Sequence, residues 1–203
     1  MRFVFLAASV LIAQTPQFKA GHSHLGESFN EGPRQKPWEM PGAGPVNFPI
    51  THTNPETQKW FNQGIALMHS FWYYEAERAF RWCQKLEPEN PMVWWGLARS
   101  QAGGPRGAEF QKEAMKRKAS ASERERLFIE ADEPAAFGET RDGRHGRQIL
   151  ERLVMKYPND IEAKAHLALM MIGEDRIGTE LLIREILKTE PNHPDRKSTR
   201  LNS

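Results

Sequence analysis

The chain has 203 residues, a formal charge of +2 and a single cysteine, Cys83. One thiol excludes an internal disulfide and any CxxC or CxxCH pair for zinc or c-type haem. The formal charge equals that of the last nine residues, DRKSTRLNS, where Arg196, Lys197 and Arg200 oppose Asp195, so the overall field gives no reason to expect nucleic acid or anionic lipid as a partner.

Arg2 precedes an apolar run from Phe3 to Ala13, and Gln14, Thr15 and Pro16 then begin polar, helix-breaking sequence. That outline predicts a signal peptide over 1–20, cleaved between Ala13 and Ala20, and an exported, periplasmic or extracellular protein. The run falls short of the roughly 20 residues a spanning helix needs, so no membrane span is expected after its removal. A buried N-terminal helix is the alternative. Residues 21–53 read as an arm or linker, because 21–50 hold five glycines and five prolines without a helical or strand period. His22 and His24 lie two apart on this arm, but no further ligand cluster stands near them, so they are read as solvated and no metal or other cofactor is expected.

From Asn54 the pattern is helical. Asn54-Pro55-Glu56 supplies an N-cap, a proline at the first helical position and an acid in the first turn. Phe61, Gly64, Ile65 and Met68 recur at helical spacing, as do Ala76, Ala79, Phe80, Cys83 and Leu86 between Tyr74 and Leu86. Two antiparallel helices are expected. Within them Trp60-x3-Gly64-x2-Leu67-x8-Ala76-x3-Phe80-x2-Cys83-x4-Pro88 resembles the tetratricopeptide repeat (TPR) signature. Small residues stand where helices approach, Trp60, Leu67 and Phe80 fill the space between, and Pro88 ends the second helix. Gln63, Leu67 and Cys83 depart from the family's preferred Leu, Tyr and Ala. Trp94-x2-Leu97-Ala98 repeats the opening 34 residues after Trp60, the TPR period.

Further helices are predicted at about 91–102, 107–118, 122–131, 144–157, 160–172 and 177–188. Ser122 and Glu125 form a capping box at the third of these, and Asp132 to Gly143 is an insertion. The units run over about 54–90, 91–121, 122–158 and 159–191. The resemblance therefore implies an all-α, TPR-like right-handed solenoid of about four helical hairpins over 54–194. Over residues 37–194, and most closely 48–98, the chain is similar to a group of bacterial exported TPR proteins, in which a Gly- and Pro-rich arm precedes the first unit. DRKSTRLNS resembles a translated sequencing adapter and is taken as an artefact that follows a truncated gene end.

No catalytic constellation emerges. Ser70 sits in a turn beside His69 and Glu75 with no oxyanion loop or nucleophile elbow. Glu75 with Glu77, and Glu123 with Glu125, lie two apart on helices, diverge, and are expected on solvated faces. Lys112, Lys116, Arg117 and Lys118 share a helix with Glu109 and Glu113 and read as a soluble surface. DGRHGR (142–147) lacks the strand and GK[ST] of a phosphate loop. The expected function is protein or peptide binding without catalysis. An accessory repeat region of a larger enzyme or metal-binding protein, truncated after Pro194, is the alternative.

The resemblance, with helical geometry, assigns the groove to one face of each first helix: Phe61, Ile65, Met68 and His69, continued by Trp95 and Arg99. Phe61, Met68 and Trp95 offer adaptable apolar surface, Arg99 a clamp for a carboxylate, and His69 a charge that can change near neutral pH. Two expectations follow from two possible coverings. If the face is free for a partner, Trp95→Ala with Arg99→Ala removes binding and leaves melting nearly unchanged. If Trp38, Phe48 and Ile50 of the arm fill the groove, the same residues are core.

Overall fold

The computed structural model describes residues 32–101, 104–133 and 144–194. The expected signal segment, His22 and His24, most of the 132–143 insertion and the tail from Asp195 lie outside the described residues. Within these limits the protein is all-α, with eight helices: α1 (Pro55–His69), α2 (Tyr73–Leu86), α3 (Pro91–Arg99), α4 (Pro105–Arg117), α5 (Glu123–Ala131), α6 (Arg144–Lys156), α7 (Ile161–Met171) and α8 (Arg176–Thr189). None of them is long and apolar enough to cross a membrane.

Local chemistry sets most of the helix starts. Asn54 and Asn90 accept hydrogen bonds from the backbone N–H groups of Glu56 and Met92 at 2.9 and 3.0 Å, each with a proline at the first helical position. The Ser122–Glu125 capping box is formed in both directions. Asp160 and Asp175 cap α7 and α8. The expected limits shift between α3 and α4: α3 stops at Arg99, and α4 starts at Pro105 and not at 107. Gly104 has φ +95°, a left-handed conformation open to glycine, and delivers Pro105 to the first turn. The proline start therefore outweighs the apolar period.

The helices pack as sequential pairs, α1 with α2, α3 with α4, α5 with α6 and α7 with α8. Neighbouring pairs meet through α2 on α3, α4 on α5 and α6 on α7, while α1 touches α3 and α3 touches α5 directly. Trp60, Gly64, Leu67, Ala76, Phe80, Cys83 and Trp94 are all buried, whereas Ala98 is half-buried and Pro88 exposed. Burial pushes the Cys83 thiol well above its ordinary pKa, so it stays protonated and acts as a small apolar residue.

Phe80 is held from two sides. A Cβ on Gly64 would lie 2.6 Å from its Cζ, and one on Gly96 would lie 2.5 Å from its Cδ1. Gly96 is not singled out by the spacing argument, which aligns Ala98 with Gly64. In an open helix Gly→Ala stabilises by about 1 kcal/mol. Here the ring has no room to retreat, so Gly64→Ala and Gly96→Ala are each expected to cost about 1–3 kcal/mol as overpacking. Urea unfolding reads the sign directly, and a gain in either variant would contradict this packing.

The arm runs extended against α1, and side-chain amides satisfy its backbone. Gln63 accepts from Met40 N at 3.0 Å and donates to Trp38 O at 2.9 Å. Asn62 accepts from Phe48 N at 3.1 Å, and Gln58 binds both Ile50 N and Phe48 O. The amide of Gln63 thus completes the hydrogen bonding of a chain that has no ladder of its own. Glu125 extends the clamp, since its carboxylate also binds Thr51 N and Thr51 Oγ1.

Candidate functional site

Three first helices converge on one arm residue. Phe48, 1% exposed, lies 5.4 Å from the Phe61 ring of α1, 5.5 Å from Trp95 of α3 and 4.8 Å from Phe128 of α5. The Arg124 guanidinium sits 4.6 Å from the Phe48 ring centre, a cation–π contact partly shielded from water. Of the arm residues expected to fill the groove, Phe48 and Ile50 are buried, but Trp38 is half exposed and pairs with the Arg78 guanidinium on the outside. Phe61, Ile65 and Trp95 are therefore core residues.

The space that the arm leaves is a cavity of about 430 Å³ bordered by α1, α3, α4, α5 and α7 and open at Phe71 and Leu169, which are half exposed. Of the six groove residues expected from sequence, Ile65, Met68, His69, Trp95 and Arg99 line it, and Phe61 lies beneath Phe48. Phe71 and Tyr73 also line it, with Phe71 half exposed at a backbone φ of +60°. The left-handed turn at Phe71 ends α1: its N–H binds Met68 O and the Trp72 N–H binds Leu67 O, both at 2.9 Å.

The cavity wall carries a buried polar group that sequence reasoning missed. Asp132, just beyond the end of α5, accepts from Trp95 Nε1 at 2.8 Å. His166 Nε2 lies 3.2 Å and Arg99 Nη1 3.6 Å from its other oxygen. Burial would raise the Asp132 pKa, but the neighbouring His166 and Arg99, with the hydrogen bond from Trp95, outweigh it and hold the carboxyl below its ordinary range. Burial pushes His166 the other way, below 6.5, and the Arg99 charge adds to this against the pull of Asp132. His166 is thus neutral at pH 7, and Arg99 balances Asp132. Asp132 Oδ1, His166 Nε2, Arg99 Nε and Gln111 Oε1 are all buried without an aligned hydrogen-bond partner.

The pH dependence follows in sign. The unfolded chain protonates His166 near 6.5 while the folded one resists, so the stability tied to His166 is complete above 6.5 and declines as pH falls below it. Asp132 acts in the same direction below 3.8. The groups that perturb His166 are Arg99, Asp132 and His69. Melting temperature is expected to fall between neutral pH and about pH 5, with a shallower fall in His166→Gln. Equal slopes in the two proteins would count against a buried neutral His166.

Across the cavity, Glu162 of α7 accepts from two directions. His69 Nε2 of α1 lies 2.9 Å from one oxygen, and His193 Nε2, in the segment after α8, lies 3.0 Å from the other. Glu162 and His193 are almost fully buried and His69 is half-buried. Burial would raise the Glu162 pKa, but His69 and His193 overcome it and hold the carboxyl at about 2. No local motif marks this trio, because its members lie 93 and 31 residues apart.

The remaining candidates take structural places. Glu77 and Glu125, expected on solvated faces, are buried: Glu77 between Arg81 and Arg106 at 2.7 and 2.5 Å, Glu125 in its cap and on Thr51. Each joins a local partner, Arg81 or Ser122, to one from distant chain, Arg106 or Thr51. Lys112, Lys116, Arg117 and Lys118 pair with Glu109, Glu113, Glu89 and Glu130.

The fold and site thus define an all-helical protein of paired helices around a partly filled interior cavity. Comparison of the chain with protein-family models, curated proteins and solved structures finds no match.

Proposed function

We propose that the chain is an exported TPR scaffold that holds a short peptide segment of a partner protein in this cavity and performs no catalysis of its own. The observation that carries the reading is the meeting of five of the six groove residues on one cavity of about 430 Å³, four of whose buried polar atoms have no aligned hydrogen bond. Pockets of that size accept a few residues of chain. The mixture is selective: Ile65, Met68 and Trp95 offer apolar wall, Arg99 Nε–H donates, and Asp132 Oδ1 and Gln111 Oε1 accept. A group that both accepts and donates, such as a peptide amide or a terminal carboxylate beside its N–H, meets these needs. The 34-residue repeat of Trp60 in Trp94 and the sequential helix pairs support the TPR assignment, and the Phe3–Ala13 run supports export.

Random hexapeptides with free C-termini, fixed one position at a time and read by fluorescence polarisation, test the idea. Apolar side chains are expected to be selected. Arg99→Lys keeps the charge beside Asp132 but loses the guanidinium fork, and is expected to weaken binding about tenfold. Ala98→Leu fills the cavity and should abolish binding with helicity retained. Absence of any selected sequence, or binding indifferent to both variants, overturns the proposal.

A further inference from the structure

We propose that His69, Glu162 and His193 form a binding site for one divalent transition-metal ion of the zinc class. The inference is independent of peptide binding. Two imidazole nitrogens and a carboxylate oxygen, offered from α1, α7 and the segment after α8, all lie within 4.8 Å of one another. Tetrahedral zinc with bonds of about 2.0–2.1 Å sets its ligands about 3.3 Å apart. The nitrogen–oxygen separations of 2.9 and 3.0 Å each run to a different oxygen of Glu162, so gathering one atom from each residue onto a single ion draws the side chains together from separations of up to 4.8 Å. The two rings meet edge to face with centres 4.9 Å apart, each turned so that Nε2 addresses a different oxygen of the same carboxylate.

Charge favours a cation here. Two buried carboxylates, Glu162 and Asp132, line the cavity with Arg99 as the one arginine or lysine among the described lining residues. With Arg99 beside Asp132, the Glu162 charge has no arginine or lysine of the lining to oppose it, and a cation held there would do so. Two imidazoles and one carboxylate are the three-ligand set that leaves a coordination position for water or a bound group. Both His69 and Glu162 line the cavity, so the ion is reached from it. The site would tie α1 to α7 and to the end of the described chain, where Pro194 also approaches Gly44 of the arm.

The test uses the full chain after chelation and dialysis. Zinc chloride titrated by calorimetry is expected to bind at one site per chain, and cobalt(II) to give the visible bands of a tetrahedral ion. Glu162→Gln and His193→Gln keep size and hydrogen-bonding capacity, and each is expected to weaken zinc at least about a hundredfold, the upper end of what loss of a supporting group costs a metal site. His22→Ala with His24→Ala controls for the arm and should leave affinity unchanged. Circular dichroism separates lost ligation from lost fold. The proposal fails if the chelated wild-type protein, shown to be folded, takes up no stoichiometric zinc or cobalt. It fails equally if uptake survives both Gln variants or disappears with the arm histidines. Each result can arise whether or not peptides bind.

Discussion

Phe48→Ala is expected to destabilise the protein by about 3–5 kcal/mol, the range for truncating a fully buried phenylalanine. The size is unusual for a residue outside regular secondary structure. Its ring contacts Phe61, Trp95 and Phe128 on three different helices, and Arg124 covers it. The vacated volume borders the existing cavity, which Phe48 also lines, so the surroundings have little reason to collapse into it and the cavity penalty stays near its full value. The loss should also be felt along the arm, since Phe48 N and O are both bound by α1 amides. Urea unfolding monitored by far-ultraviolet dichroism gives the cost, and limited proteolysis within 32–53 reports arm release. A change below about 1 kcal/mol would mean that the arm is an optional cover and that the first helices form a complete core without it.

Trp95→Ala is expected to be at least as damaging, about 3–5 kcal/mol from lost packing, with a further penalty at Asp132. The indole N–H is the aligned donor to that fully buried carboxylate at 2.8 Å, and its removal leaves a charged group short of a partner, which costs more than the average hydrogen bond is worth. Trp95→Phe separates the contributions: most of the stacking against Phe48, Phe61 and Phe128 is kept, the donor is lost, and the expected cost is about 1–3 kcal/mol. This replaces the sequence-based expectation that Trp95→Ala with Arg99→Ala would spare stability. That expectation holds only for a face turned to a partner, and the arm has made Trp95 interior. A Trp95→Ala protein that melts with the wild type would restore it.

Helices, pairing and packing partners were legible because they rest on short-range rules. Asn54 and Ser122 announce helix starts through bonds two or three residues away, and the small residues at Gly64, Ala76 and Cys83 mark close approach at fixed helical spacing. The face carrying Ile65, Met68, His69, Trp95 and Arg99 was assigned to one groove by the TPR resemblance together with helical geometry, which fixes only which residues of one helix share a side. The solvated reading of Glu77 and Glu125 failed because helical phase says where a carboxylate points but not what distant chain arrives there. Arg106 and Thr51 supply the partners, 29 and 74 residues away.

For the arm, sequence reasoning left two coverings open and named Phe48 and Ile50, which are buried, along with Trp38, which is not. Residues 32–53 have no period, and what holds them is a set of amides on α1 whose partners are backbone atoms, which every residue possesses alike. Asp132 gave no signal from within its loop, and its role exists only once Trp95, Arg99 and His166 surround it. His69, Glu162 and His193 are the extreme case. By itself the sequence determined the helices and the faces they turn inward, through interactions within a turn or two of chain; only the tertiary structure decided that the arm fills the space between those faces and that one carboxylate meets two histidines across it, because burial and long-range charge pairing obey no spacing along the chain.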